Sequence, residues 1–255
     1  MPRPYEKNLV SVITPAFRAG NYISETILST IKQTYSQWEM WIVDDFAPDD
    51  TCQKVEAFTI RDKRVRLIRQ PLNEGPASAR NAGLAAARGQ FIAFLDADDL
   101  WLPQKLERQL GFMRQTNAML SFTEYRRIDA HGQRYGRQIQ VPDRLDYRQL
   151  LRNTAIATST VVVDRNLVGD FRMKPVYYDD YSCWLAIVRG GGYAHGLHED
   201  LMRYRVRPQS MSRRKLRSAL EVWRVYREVE DLGFIDSARC FANYAIRGWW
   251  KYREF

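Results

Sequence analysis

The stretch FIAFLDADDLWLP, Phe91 to Pro103, runs five apolar residues into three aspartates, Asp96, Asp98 and Asp99, and ends at a proline. A continuous apolar run of this length, bounded by polar residues, reads as a buried strand. Carboxylates this close disfavour one another's charge, so the end of the strand requires something positive. Asp96-Ala97-Asp98 is a D-x-D, and alternate residues of an extended segment point the same way. Hard oxygen ligands on one loop suit Mg²⁺ or Mn²⁺, an ion usually held by one or two carboxylates plus substrate phosphates. Such an ion is the expected counter-charge. Asp99 has a second reading, as the cap of the helix that follows.

Upstream, LVSVIT (Leu9–Thr14), EMWIVD (Glu39–Asp44) and VRLIRQ (Val65–Gln70) read as further strands. Between them lie NYISETILSTIKQTY, with Ile23, Ile27, Leu28 and Ile31 at helical spacing, then DDTCQKVEAFTIRD, then the alanine-rich GPASARNAGLAAARG, which stops at Gly89. LPQKLERQLGFMRQ, with Pro103 near its start, adds a fourth helix. This alternation is the pattern of a doubly wound parallel sheet. Such sheets bind ligands beyond the carboxyl ends of their strands. Asp44 and Asp45 follow the second strand there, and Asp96 and Asp98 the fourth. A helix cap accounts for one loop aspartate; two separate acidic strand ends point to a site. The second half is less regular. It shows a turn at Asp129–Gly136, a strand at Ala157–Asp164 and a helix in YYDDYSCWLAIVRGGG. From Arg203 to Arg217 the chain is basic, and it then continues as amphipathic helix into GWWKYREF.

The 255 residues carry a net charge of +9 and are 45% hydrophobic. The apolar share supports a packed core and excludes a disordered chain. The charge implies an anionic partner. Cys52, Cys183 and Cys240 are too scattered for a disulfide framework or a zinc site and suit a reducing compartment. His195 and His198 are close enough in sequence for a two-histidine metal site, but no cysteine lies near them, and an ordinary surface or core role is the favoured reading. MPRPYEKNLVSVITP has no signal-peptide pattern, and no run approaches the roughly 18 apolar residues that span a bilayer. A cytoplasmic protein, at most attached to a membrane surface, is expected. PAFRAGNY follows the first strand where a dinucleotide fold carries G-x-G-x-x-G. No nucleic-acid-binding signature stands out and acidic strand ends repel phosphates, so nucleic acid is not an expected partner. A non-catalytic nucleotide- or nucleic-acid-binding protein is the alternative to an enzyme.

VSVITPAFRAGNYISETILSTIKQTYSQWEMWIVDDFAPDDT and NEGPASARNAGLAAARGQFIAFLDADDLWLPQKLERQL resemble the opening strand, acidic nucleotide loop and metal motif of bacterial family-2 glycosyltransferases of the GT-A fold. YYDDYSCWLAIV resembles their acidic helix start and YRVRPQSMS a later Tyr-Arg-rich motif. The pattern is similar to surface-polysaccharide transferases of the teichuronic-acid type. The resemblance implies an α/β fold with a Rossmann-like, mostly parallel sheet flanked by helices. Residues 1–115 would be the nucleotide half, 116–200 the acceptor half and 201–255 a basic helical extension. It further implies inverting, metal-dependent transfer from a nucleotide sugar, usually a UDP-sugar, to a saccharide or an undecaprenyl-diphosphate-linked acceptor. Thr14, Pro15 and Ala16 then end the first strand beside the nucleotide. Asp45 accepts a hydrogen bond from uracil, with Asp44 in support, and Arg80 lies near the nucleotide. Asp96 faces the ribose or the Mn²⁺ or Mg²⁺ ion that Asp98 ligates, and Asp180 is the catalytic base.

Some positions depart from that pattern. Asp179-Asp180 stands where Glu-Asp is usual, and Asp180 is preferred as base because it precedes Tyr181. Arg18 replaces a residue that is usually Asn or small, and Phe46 one that is often Gly. Arg207 stands where histidine is common and would meet a phosphate; Asp179 and Trp101 are further candidates for phosphate or acceptor contact. Each has a structural alternative: Asp45 holding a turn, Arg80 on a solvated face, Trp101 and Trp184 in the core. The basic stretch, with Arg247, Trp249, Trp250, Lys251, Tyr252 and Arg253, either seats on an anionic membrane surface or packs the tail against the catalytic domain.

Overall fold

Strands β1 (Glu6–Ala16), β2 (Trp38–Asp44), β3 (Val65–Arg69) and β4 (Gly89–Phe94) lie in the order β3-β2-β1-β4, all parallel. Parallel neighbours cannot be joined by a tight turn. Helices α1 (Ile23–Ile31), α2 (Thr51–Arg61) and α3 (Pro76–Ala86) make the returns. The computed structural model describes residues 5–153, 156–207 and 215–251. The central strands are near-continuous apolar runs because both faces are covered. Along β4 and just past it, Phe91, Ala93 and Leu95 belong to one hydrophobic layer, Ile92 and Phe94 to the other. This period of two is why the run FIAFL carries no polar face.

The chain continues through β5 (Leu100–Trp101), α4 (Lys105–Thr116), β6 (Leu120–Ile128), β7 (Tyr135–Ile139), β8 (Arg144–Leu145) and α5 (Tyr147–Leu151). After a 3₁₀ turn at Thr158–Thr160 come β9 (Val162–Asp164), α6 (Arg165–Val168), α7 (Asp179–Val188) and β10 (Ala194–Arg205). The sheet extends as β4-β9-β6-β10-β5. β9 is antiparallel to both β4 and β6, whereas β10 is parallel to β6. The parallel pattern therefore describes β1 to β4, and the sheet is mixed beyond them.

A domain boundary at residue 200 requires correction. β10 pairs with β6 as far as Arg205 opposite Ile128, so residues 201–205 are strand and belong to the catalytic sheet. Nor is the tail a separate layer. Helix α8 (Lys215–Arg224), a π turn (Val225–Val229) and helix α9 (Phe234–Lys251) place Val222, Val225, Tyr226 and Cys240 in one core with Leu150, Leu151, Tyr181 and Trp184. Residues 208–214 and 252–255, and the side chains of 215–216 and 247–251, lie outside the described residues, so the membrane-seating expectation for the middle of the basic stretch and the terminal aromatics falls there; at its start, Arg203, Arg205 and Arg207 pair with Asp200, Glu25 and Asp98. No helix among the described residues is long and apolar enough to cross a membrane.

Candidate active site

Parallel register brings the carboxyl ends of β1, β2 and β4 to one edge. Ala16 lies opposite Asp44, Asp45 donates its backbone N–H to the Ala16 carbonyl at 2.9 Å, and Leu95 donates to Ile13 at 3.0 Å. Thr14, Pro15 and Ala16 thus end β1 between the two acidic loops, as expected. Thr14 and Ala16 are buried.

Arginines and backbone donors meet the acidic cluster after β4. Arg80 Nη2 donates to Asp96 Oδ1 at 2.8 Å. Arg207 Nε lies 2.6 Å from Asp98 Oδ2. Asp99 accepts from the Arg205 backbone N–H at 2.9 Å and from Ser159 Oγ at 2.6 Å. The loop is also held from behind. Thr26 Oγ1 lies 3.0 Å from the carbonyls of both Ala97 and Asp99, and Arg205 Nε donates to the Asp98 carbonyl at 2.8 Å while its Nη2 pairs with Glu25. Burial nonetheless dominates the titration of two of these acids. It pushes the Asp98 carboxyl up to about 6 against the pull of Arg207. It raises Asp99 well above the carboxylate range, with Asp98 and Asp96 adding to the effect.

Arg80 joins this cluster to the start of α7. Its Nη1 donates to Asp179 Oδ2 at 2.7 Å, so one buried guanidinium spans the D-x-D loop and the Asp179-Asp180 pair. Burial opposes its charge, but Asp96, Asp179 and Asp180 outweigh burial and raise its pKa. Burial also pushes Asp179 up to about 6, again against Arg80. Asp180, beside it, accepts from the Tyr181 N–H at 2.6 Å and from the Thr158 hydroxyl.

Other expected residues have different surroundings. Asp45 receives the backbone N–H groups of Glu74 at 2.8 Å and Gly75 at 2.9 Å, one on each oxygen. It anchors the loop leading into α3, the turn-holding alternative. Asp44 holds its own loop through the Ala47 N–H at 3.3 Å. Arg80 is not on a solvated face. Trp101 is 3% exposed and donates its indole N–H to the Ser159 carbonyl at 2.7 Å, so it is a packing residue and offers no face to an acceptor. Trp184 is likewise buried. Asp179 is committed to Arg80 and buried, which leaves Arg207, with its side chain 34% exposed, as the candidate for phosphate contact. Sequence reasoning missed Glu25, Thr26, Thr158, Ser159 and Arg205. Arg205 lies inside the Tyr-Arg-rich motif YRVRPQSMS; the other four carry no local signal, because their partners are distant in the chain.

The donor set fits a divalent ion in part. The arginines engage Oδ1 of Asp96 and Oδ2 of Asp98, which leaves the other oxygen of each outside those contacts. Among the described residues no group of three or more His, Cys, Asp or Glu side chains converges. Two carboxylates suit an ion whose remaining ligands are phosphate and water.

Two acidic strand ends bridged by arginines suit a glycosyltransferase site, and comparison with known proteins gives the class. Residues 11–173 match Glycosyl transferase family 2; the chain belongs to this family and is a glycosyltransferase. It is 39% identical over 240 residues to a Bacillus subtilis (strain 168) protein to which the name teichuronic acid biosynthesis glycosyltransferase TuaG is attributed, covering 94% of this chain and 95% of that one. It is 36% identical over 218 residues, 85% of each chain, to Escherichia coli WfgD, named a UDP-Glc:alpha-D-GlcNAc-diphosphoundecaprenol beta-1,3-glucosyltransferase. Residues 1–349 of TarS from S. aureus, in complex with UDP-GlcNAc, superpose with a TM-score of 0.73 at 21% identity, covering 94% of this chain and 72% of that one. The mannosyltransferase PcManGT from Pyrobaculum calidifontis, in complex with GDP-Man and Mn²⁺, gives 0.70 at 17%, covering 96% and 73%. At these identities the structural likeness is one of fold, the GT-A fold. Asp179, Asp180 and β10 lie beyond the residues matched to the family.

Proposed function

We propose that the protein transfers a sugar, with inversion, from a UDP-sugar to a lipid-linked diphosphate saccharide in bacterial surface-polysaccharide synthesis, at the inner face of the membrane. The observation that carries this is the reach of Arg80 to both Asp96 and Asp179, which puts the D-x-D loop and the acid pair within one guanidinium of each other. The acceptor oxygen attacks the anomeric carbon as the bond to the diphosphate breaks, and Asp180 takes the acceptor's proton. Asp98 and Asp96 would hold Mn²⁺ or Mg²⁺, which when bound supplies Lewis-acid stabilisation of the leaving diphosphate. Arg207, paired with Asp98 and partly exposed, would meet a phosphate of the donor. Asp44 and Asp45 fix the loops that floor the nucleotide pocket.

Calorimetric titration of UDP, with GDP as control, tests the donor half. Wild type should bind UDP more tightly with Mn²⁺, and Asp98→Ala should lose that gain. Asp180→Asn should keep UDP binding and lose transfer, assayed first with UDP-glucose and GlcNAc-diphosphoundecaprenol, the pair in the name of the Escherichia coli relative. GDP binding in place of UDP would overturn the donor assignment, and full transfer by Asp180→Asn would overturn the base.

A further inference from the structure

The 3₁₀ turn Thr158–Ser159–Thr160 lies between the two halves of the site and touches both. Ser159 Oγ accepts the Asp96 backbone N–H at 3.0 Å and donates to Asp99 Oδ2 at 2.6 Å. A hydroxyl has one proton to give and can accept at the same time, so this side chain bonds both ends of the Asp96–Asp99 loop. One residue earlier, the Thr158 hydroxyl donates to Asp180 Oδ2. Both residues are buried, so water competes little for these bonds.

The turn is itself fixed from several sides. The Thr160 N–H and hydroxyl both donate to the Ala157 carbonyl, at 2.9 and 2.6 Å. The Thr160 carbonyl accepts Gln109 Nε2 at 2.9 Å, and the Ser159 carbonyl accepts the Trp101 indole at 2.7 Å. Thr158 and Ser159 therefore move together, carried by a backbone tied to α4 and β5.

We infer that this turn is the strut that sets the acceptor-side carboxylate against the donor-side loop, with Thr158 the positioning residue for Asp180 and Ser159 for Asp96 and Asp99. The inference rests on the reading of Asp180 as base. A free aspartate side chain rotates about two bonds, while a base must meet the acceptor hydroxyl within hydrogen-bond reach as the donor is attacked. Thr158 holds Oδ2 and the Tyr181 N–H holds Oδ1, and each carboxylate oxygen keeps a second lone pair to accept a proton. Misplacement of a reacting group by about 1 Å can cost on the order of 100-fold in rate.

Thr158→Val keeps the shape and removes the hydroxyl; Thr158→Ser does the reverse. With a donor and acceptor pair that wild type turns over, Thr158→Val should lose roughly 10- to 100-fold in kcat. Its donor KM and its affinity for UDP with Mn²⁺ should stay within about twofold, as expected when only an interaction of the transfer step is lost. Thr158→Ser should return to near wild-type kcat. Ser159→Ala should instead weaken UDP binding in the presence of Mn²⁺, because the D-x-D loop loses its brace. Thr158→Ala repeats the hydroxyl loss should the valine variant fold poorly. Wild-type kcat in the folded hydroxyl-less variants, alongside an inactive Asp180→Asn, would overturn the strut alone. Equal losses in the valine and serine variants would also overturn it, assigning the effect to packing. Full transfer by Asp180→Asn would remove the base reading and the strut together.

Discussion

Arg80 gives one guanidinium nitrogen to Asp96 and another to Asp179, and its side chain is 7% exposed against 5% for Asp179. The Arg80–Asp179 pair is therefore little screened by solvent, whereas Asp96 is open enough to count for less. Removing one partner of a buried pair strands the other, at a typical cost of about 3–5 kcal/mol. Arg80→Met should lower unfolding free energy by roughly 3 kcal/mol in urea at neutral pH. The double variant Arg80→Met with Asp179→Asn should recover more than half, since no buried charge is left alone. Arg80→Lys should not substitute, because an ammonium is a point donor where a planar fork is used. pH supplies a second check. Burial holds Asp179 at about 6, above the ordinary carboxylate value, so folding favours its protonated form. The stability this group contributes is complete below about pH 4 and lost as pH rises through about 6. The Arg80→Met deficit should accordingly shrink between pH 7 and pH 5. An unchanged deficit would mean that Asp179 is not the stranded group.

Helix α4 opens with Lys105, whose side chain is fully buried, with its amine 3.9 Å from the Trp101 ring centroid and without a hydrogen-bond partner among the described residues. A cation at a helix N-terminus also opposes the macrodipole, and burial holds this amine well below its ordinary pKa. The unfolded chain then binds a proton that the folded chain does not, so stability rises with pH up to about 10.5. Lys105→Met should be more stable than wild type at pH 7, because burying the amine costs wild type a proton that the methionine never holds. The gap should close toward pH 10, as read by urea unfolding at both values; a gap that widens with pH would refute the buried-neutral amine. Nothing in QKLERQL announced this lysine, because its i, i+4 setting looks solvated until Trp101 of β5 covers it. Elements whose neighbours along the chain set their pattern were legible: β1 to β4, the helices between them, and α7 after its paired aspartates. The three-residue β9 was read as a longer strand, and its antiparallel entry could not be read, since direction depends on where the chain returns. Asp96 and Asp98 were legible as an acidic cluster through their D-x-D, and Asp180 as a candidate through the family resemblance. Their partners Arg80, Arg207 and Thr158 are far apart in sequence, and a serine-threonine run such as TST looks the same in any polar turn.

At the scale of the molecule, the question is whether residues beyond β10 form an appendage or part of the fold. Val222, Val225 and Tyr226 are nearly or fully excluded from water, and the Tyr226 hydroxyl donates to the Leu151 carbonyl at 2.6 Å. Tyr181, the residue after Asp180, donates to the carbonyls of Leu150 and Leu151, so the tail and the base-bearing helix α7 hold the same segment. Glu230 adds a buried acid bonded by Tyr147 and Arg189. Each fully buried side chain of this size contributes about 1.5–3 kcal/mol, and together they rival the roughly 5–15 kcal/mol by which domains are stable. A chain ending at Arg207 should therefore lose cooperative thermal unfolding and lose transfer activity with it, because deletion uncovers Tyr181 and Trp184. Membrane seating is then better probed within the intact chain. Leu220, Phe234, Ile235 and Ile246 are exposed on α8 and α9, and replacing them by glutamate should leave the melting temperature within a few degrees, since surface changes usually cost under about 0.5 kcal/mol. If these variants fold and lose binding to anionic liposomes, the α8–α9 surface seats on the membrane; if binding persists, any attachment lies elsewhere. A chain truncated at Arg207 that melts cooperatively at the wild-type temperature would show instead that the tail is dispensable to the core.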